Sequence, residues 1–189
     1  MSGARLHRWT LGEFLAWEER QEAKFELVDG QPRMMTGGTQ AHHLIALNII
    51  VGLRELLRGS PCRAWGPDIR VVTGTGNARY PDALIDCGAF QPASHDSSEP
   101  VVICEVLSRS TAWLDLQGKL RDYDATATIR QYIVIAQDEP NIVIWTRSAD
   151  GRLTLGASLT GLDDSVAFEP VGARLPLAAI YDGISFAAE

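Results

Sequence analysis

The segment VVICEVLSRSTAWLDLQGKLRDY, residues 101–123, decides how the rest of the chain is read. Residues 101–107 are apolar except for Glu105, the pattern of a strand buried on both faces. Leu116, Leu120 and Tyr123 then recur at helical spacing and predict a helix over 114–125. A second apolar strand, QYIVIA, follows at 131–136. A strand, a helix and a strand of these lengths suit a right-handed crossover between parallel strands. The prediction is an α/β fold: a mixed β-sheet flanked by helices.

The flanking sequence adds elements on both sides. TLGEFLAWEER opens as a helix, with Thr10 as cap, Glu13 closing a capping box, and Leu11, Phe14 and Leu15 as its apolar stripe. KFELVDGQPRMM reads as a hairpin turning at Asp29-Gly30. AHHLIALNIIVGLRELLRG is the longest predicted helix, with Ile45, Ile49, Leu53, Leu56 and Leu57 on one face and Gly59 as its stop. DIRVVTGTGNARYPDALIDCG, residues 68–88, reads as a second hairpin turning at GTGNA. QPASHDSSEP is a polar loop, NIVIWTR and GRLTLGAS are further strands, and LPLAAIYDGI is a short helix or turn.

The chain has 189 residues, the length of one domain, taken as residues 1–189. Its formal charge is −7 with no Lys- or Arg-rich run, which argues against broad nonspecific binding to nucleic acid and leaves room for a local basic groove. Cys62, Cys87 and Cys104 lie far apart without metal-ligand spacing and read as small buried hydrophobes in a reducing cytoplasm. No segment approaches the ~20 apolar residues needed to span a bilayer, so a soluble, cytoplasmic protein with no membrane partner is expected. The five tryptophans, Trp9, Trp17, Trp65, Trp113 and Trp145, read as core or rim packing.

Glu105 is the anomaly. An ionised carboxylate in a buried strand costs several kcal/mol unless it is paired or binds a cation. Asp82, in RYPDALID (79–86), stands at the mouth of the preceding strand. If the two strands pair, both carboxylates reach one edge of the sheet. Two hard oxygen ligands there suit Mg²⁺ or Mn²⁺, and a bound cation with an activated water is what phosphodiester hydrolysis needs. Lys119, on the next helix, is the candidate to orient that water and offset developing charge. Plainer readings stand beside this one. A Pro-Asp pair is commonly a turn, Glu105 could pair with a buried Arg, and Asp115 with Lys119 could be an ordinary helix-surface ion pair.

ELVDG, AHHLI, YPDALI, VVICEVLSRSTAWLDLQGKLRDY and QYIVI together resemble the Uma-two family of restriction-endonuclease-like proteins, within the PD-(D/E)xK nuclease superfamily. The resemblance extends from about Trp9 to the tail. It implies a restriction-endonuclease-like core preceded by an N-terminal helix and β-hairpin. It also implies metal ligation by Asp82, Glu105 and the backbone carbonyl of Val106. The superfamily pattern places a lysine two residues after the Glu, where this chain has Leu107, so the resemblance passes that role to Lys119. It further implies that Glu26 and His42 face the same cleft, and that Ser108, Asp115 and Tyr123 support it. By residue pattern alone, Glu26 could equally face solvent beside Lys24, and His42 could be a neighbour of a helix cap.

Two functions follow as expectations. One is a Mg²⁺- or Mn²⁺-dependent endonuclease acting on DNA, with a homodimer as a possible assembly. The other is a catalytically silent binding or structural protein that keeps the nuclease fold. The acidic composition favours the second; the Asp82, Glu105 and Lys119 set favours the first.

Overall fold

The computed structural model describes residues 7–107 and 112–186, without the side chains of residues 112–115. In chain order the elements are α1 (Leu11–Glu18), β1 (Phe25–Val28), β2 (Gln31–Met34), α2 (Gln40–Leu56), β3 (Arg63–Trp65), β4 (Val71–Val72), β5 (Ala78–Arg79), β6 (Ala83–Asp86), β7 (Pro100–Leu107), α3 (Ala112–Asp124), β8 (Gln131–Ala136), β9 (Ile142–Arg147), β10 (Leu153–Leu159), β11 (Ser165–Phe168), β12 (Ala173–Pro176) and α4 (Leu177–Ile180). Among the described residues the strands form a six-stranded sheet in the order β10-β9-β8-β7-β6-β3, a four-stranded sheet β2-β1-β5-β4, and the hairpin β11-β12. β7 and β8 run parallel, joined through α3, and the other strand pairs are antiparallel.

The two faces of β7 explain its unbroken apolar run. Cys104 and Val106 pack with Ile45, Ile49 and Leu53 of α2 on one face. Ile103 packs with Tyr123 of α3 and Tyr132 of β8 on the other. Glu105 has the same parity as Ile103, so it points toward α3. The sheet is thus filled between α2 on one side and α3 on the other, and Glu105 has to be satisfied by what α3 brings. No described helix is long and apolar enough to cross a membrane.

Local chemistry holds the ends of these elements. The Thr10–Glu13 capping box is present on α1. Thr39 caps α2 by accepting from the His42 amide, and Gly59 takes a left-handed φ of 79° just after that helix. The Asp29-Gly30 turn has positive φ at both residues, as a tight hairpin with right-handed strand twist requires.

The structure corrects the sequence reading in several places. Residues 78–86 are not one strand. β5 pairs in the smaller sheet, and after Tyr80-Pro81-Asp82 the chain re-enters as β6 of the larger one. Pro81 has no N–H to give a ladder, and the Tyr80 N–H donates to the Glu26 carboxylate (3.1 Å). The hairpin at GTGNA therefore joins only β4 and β5. Leu56 is exposed, and Ala46 takes a place in the buried face of α2. β3, β11 and β12 are too short or too polar to declare themselves by alternation.

Cys62 and Cys87 are not free buried thiols: they form a disulfide, while Cys104 stays buried and unbridged. The pair is one residue beyond the register Arg63↔Asp86, tying the sheet's edge strand β3 to β6. A cross-link over a sequence separation of 25 residues restricts the unfolded chain by ~3 kcal/mol. Reduction, or Cys62→Ser, is expected to lower the melting temperature by about 5–10 °C. Coincident melts with and without reductant would show that the bridge adds nothing.

Candidate active site

Asp82 and Glu105 come together through strand register. β6 and β7 pair Ala83 with Cys104, so the next position outward sets Asp82 opposite Glu105. Asp82 is fixed at both oxygens: Oδ2 accepts the Val106 N–H at 2.8 Å, and Oδ1 lies 2.9 Å from His42 Nε2 at the start of α2. That hydrogen bond is the main cause raising the His42 pKa above its ordinary value, against the lowering effect of burial.

Glu105 is 2% exposed. Its Oε2 accepts from Lys119 Nζ and its Oε1 from the Tyr123 hydroxyl, each at 2.8 Å. Lys119 and Tyr123 lie four apart on α3, so one helix face delivers both donors. Burial pushes the Glu105 carboxyl up to about 7, Lys119 pulls it down, and the Asp82 charge adds to the rise. Burial likewise raises the Tyr123 pKa well above that of a free phenol, so its hydroxyl is a neutral donor.

A third carboxylate stands beside them. Glu26 of β1 accepts from Arg79 Nη1 (2.9 Å) and from the Tyr80 N–H. Arg79 turns its other nitrogens onto Asp122 of α3, at 2.7 and 2.8 Å, and Asp122 also accepts from Asn77 and Thr75. Arg79 thus locks the smaller sheet to α3 at the point where Glu26 enters the site.

These groups line a cavity of about 410 Å³ whose walls include Glu26, His42, Asp82, Glu105, Leu107 and Lys119. Its lining also includes the Gly37-Gly38 loop, beside which Thr39 donates to Gln137 Oε1 at 2.8 Å. Among the described residues no group of three or more His, Cys, Asp or Glu side chains has the geometry of a metal cluster. The donor set that fits a cation is the pair Asp82 and Glu105. Each ionised carboxylate has about four lone-pair positions, and two donors on each leave room for one more partner. Mg²⁺ is characteristically held by one or two carboxylates with water filling its remaining positions.

The structure brings Asp82, Glu105, Lys119, Glu26, His42 and Tyr123 into one place. Glu26 turns into the cavity rather than to solvent, and Glu105 takes Lys119, not an arginine, as its cation. Val106 reaches the site through its N–H, which holds Asp82; in the ladder its Cα pairs with Ile135. Ser108 lies outside the described residues, as do the side chains of Asp115 and Trp113. Sequence reasoning missed Arg79, Asp122 and Asn77. An arginine directly before YPD, in a strand with apolar neighbours, and an aspartate on the buried side of α3 were the available signals.

Similarity to known proteins bears on the fold and the family. Residues 11–178 match the Uma2 family, described as "Putative restriction endonuclease". A protein of Synechocystis sp., "Uncharacterized protein slr1290", is 29% identical over 180 residues, covering 92% of each chain. A second from that organism, "Uncharacterized protein sll1609", is 26% identical over 68% of this chain and 75% of its own. The crystal structure of "a putative nuclease belonging to DUF820" from Anabaena variabilis superposes with a TM-score of 0.74 at 15% identity, covering 91% of this chain and 97% of that one. The fold is therefore that of a nuclease-like α/β protein, and with a match over nearly its whole length the chain belongs to the Uma2 family.

Proposed function

We propose that the protein is a divalent-metal-dependent endonuclease that hydrolyses phosphodiester bonds in DNA. The observation that carries this reading is the pairing of Asp82 and Glu105 across adjacent strands, with Lys119 on Glu105, in one open cavity. A hard cation bound there supplies Lewis acidity and a water of lowered pKa. Asp82 and Glu105 would hold it, while His42 and the Val106 N–H fix the Asp82 carboxylate and Tyr123 fixes Glu105. Lys119 brings positive charge to the cavity wall, where it orients the attacking water and offsets charge building on the phosphoryl oxygens. The test is incubation with linear, circular and single-stranded DNA in Mg²⁺ or Mn²⁺, against Asp82→Ala. No cleavage with either ion, or equal cleavage by wild type and variant, would leave the silent-domain reading in its place.

The same reading predicts how stability responds to pH and metal. The folded-state carboxyl of Glu105 sits near 7, above its ordinary value of 4.5. Between those values the folded chain keeps a proton that the unfolded chain has lost. Metal-free stability therefore falls as pH rises through that window, and Glu105→Gln removes the fall. Cation binding needs the ionised carboxylate, so the rise in melting temperature given by millimolar Mg²⁺ grows from about pH 6 to about pH 8. Thermal melts across this range check both signs. An identical Mg²⁺ shift in wild type and Glu105→Gln would put the ion elsewhere.

A further inference from the structure

Away from the Asp82–Glu105 cavity, the loop between β6 and β7 carries an aromatic side chain that the core does not use. Phe90 is 56% exposed, yet the loop beneath it is firmly held. Asp86 accepts from the amides of Gly88 (2.6 Å) and Glu99 (3.2 Å) and from the Ser97 hydroxyl. Arg70 pairs with the loop backbone through His95 and Ser97, and the Cys62–Cys87 disulfide anchors the loop's first limb. The two limbs approach so closely at Gly88 that a Cβ there would meet the Ser98 hydroxyl at 2.1 Å. An apolar ring kept in water on a braced loop gains by being covered.

The surroundings specify what would cover it. The rings of Phe90 and Trp65 are nearly parallel, 15° apart with centroids 6.2 Å from each other, and the Arg63 guanidinium lies 5.1 Å from the Phe90 centroid. These three groups border a cavity of about 260 Å³ whose rim includes Gln91, Ser94 and Ser98. Its charged side chains already have partners: Asp96 is bonded to Arg70 at 2.6 Å, Asp86 holds the loop's own amide and hydroxyl donors, and Arg63 donates to the Pro61 and Gly88 carbonyls. A neutral planar ring with hydrogen-bonding edges fits such a place better than a phosphate or an ammonium group.

We propose that Trp65, Phe90 and Arg63 form a stacking site for one unpaired nucleobase of a single-stranded nucleic acid. The choice of a base over other planar rings rests on the nuclease reading of the Asp82–Glu105 cavity; the stacking itself does not depend on cleavage. The test is equilibrium binding of a short single-stranded oligonucleotide containing 2-aminopurine, in EDTA so that no cut occurs. Stacking quenches the probe, and Phe90→Ala should weaken binding about ten-fold or more while leaving the melting temperature unchanged. Trp65→Leu serves as the second variant. Wild-type protein that fails to cut DNA with Mg²⁺ or Mn²⁺ but still quenches the probe removes the nuclease reading and keeps this one. Equal affinity of wild type and Phe90→Ala, or equal affinity for an oligonucleotide with an abasic position in place of the probe, overturns it.

Discussion

Lys119→Met should abolish DNA cleavage, by about 10²-fold or more, in a protein that still folds and, at a pH high enough to ionise Glu105, still binds metal. The fold survives because of the state of Glu105. Breaking a buried ion pair usually costs ~3–5 kcal/mol, since the remaining charge is stranded. Here the Glu105 carboxyl is already pushed up to about 7 with Lys119 in place. Without that cation its pKa rises further, and near neutral pH it takes up a proton at small cost. Tyr123 continues to hold it, and methionine keeps much of the lysine stem. A purely structural pair predicts a different outcome: a modest loss of stability and an unchanged cleavage rate. Position 107 separates the two cases again. Leu107 lines the same cavity and shares the face of Glu105, two residues away on β7. Leu107→Lys combined with Lys119→Met should recover part of the activity if what the site needs is a cation rather than this particular helix contact. A Lys119→Met enzyme that cuts at the wild-type rate would remove Lys119 from the mechanism.

The sequence made Glu105 legible because burial and charge conflict at that position, and such conflicts are visible without coordinates. The crossover from β7 through α3 to β8 was legible for a related reason. Long elements repeat their pattern often enough to fix period and direction. The split at Tyr80-Pro81-Asp82 was not legible, because two strands of two and four residues in series look like one strand of nine. What separates them is a hydrogen bond from the Tyr80 amide to a side chain more than fifty positions earlier, at Glu26. The Cys62–Cys87 bridge was hidden in the same way. It depends on β3, a three-residue strand set by its pairing with β6 rather than by its own pattern. The direction of the Glu26 side chain was undecided for want of Arg79, whose role depends on bringing the smaller sheet and α3 together.

That dependence makes Arg79 the position with the largest expected effect on stability. Its side chain is 1% exposed, and Asp122, its partner on α3, is 0% exposed. Three of its hydrogen bonds go to carboxylates, two to Asp122 and one to Glu26. Arg79→Met leaves a similar volume of apolar stem but strands two acidic groups against each other. The expected loss is ~3–5 kcal/mol, or a fall in melting temperature of about 10–20 °C for a chain of this size. Lysine is not expected to rescue the site, because a single ammonium cannot reproduce a fork that grips two carboxylates in different directions. The pH dependence identifies the cause. Burial would raise the Asp122 pKa, but its hydrogen bonds from Asn77 and Arg79 leave it below the usual aspartate value. A depressed folded-state pKa contributes stability above the unfolded value and loses it as pH falls through the folded one. Arg79→Met forfeits that contribution, so the gap between variant and wild type should be widest near neutral pH and should narrow below about pH 4, where the wild type loses it too. A gap that stays constant between neutral and acid pH would mean that Arg79 acts by filling space, and that the charge linkage from Glu26 to α3 is not what holds the smaller sheet to that helix.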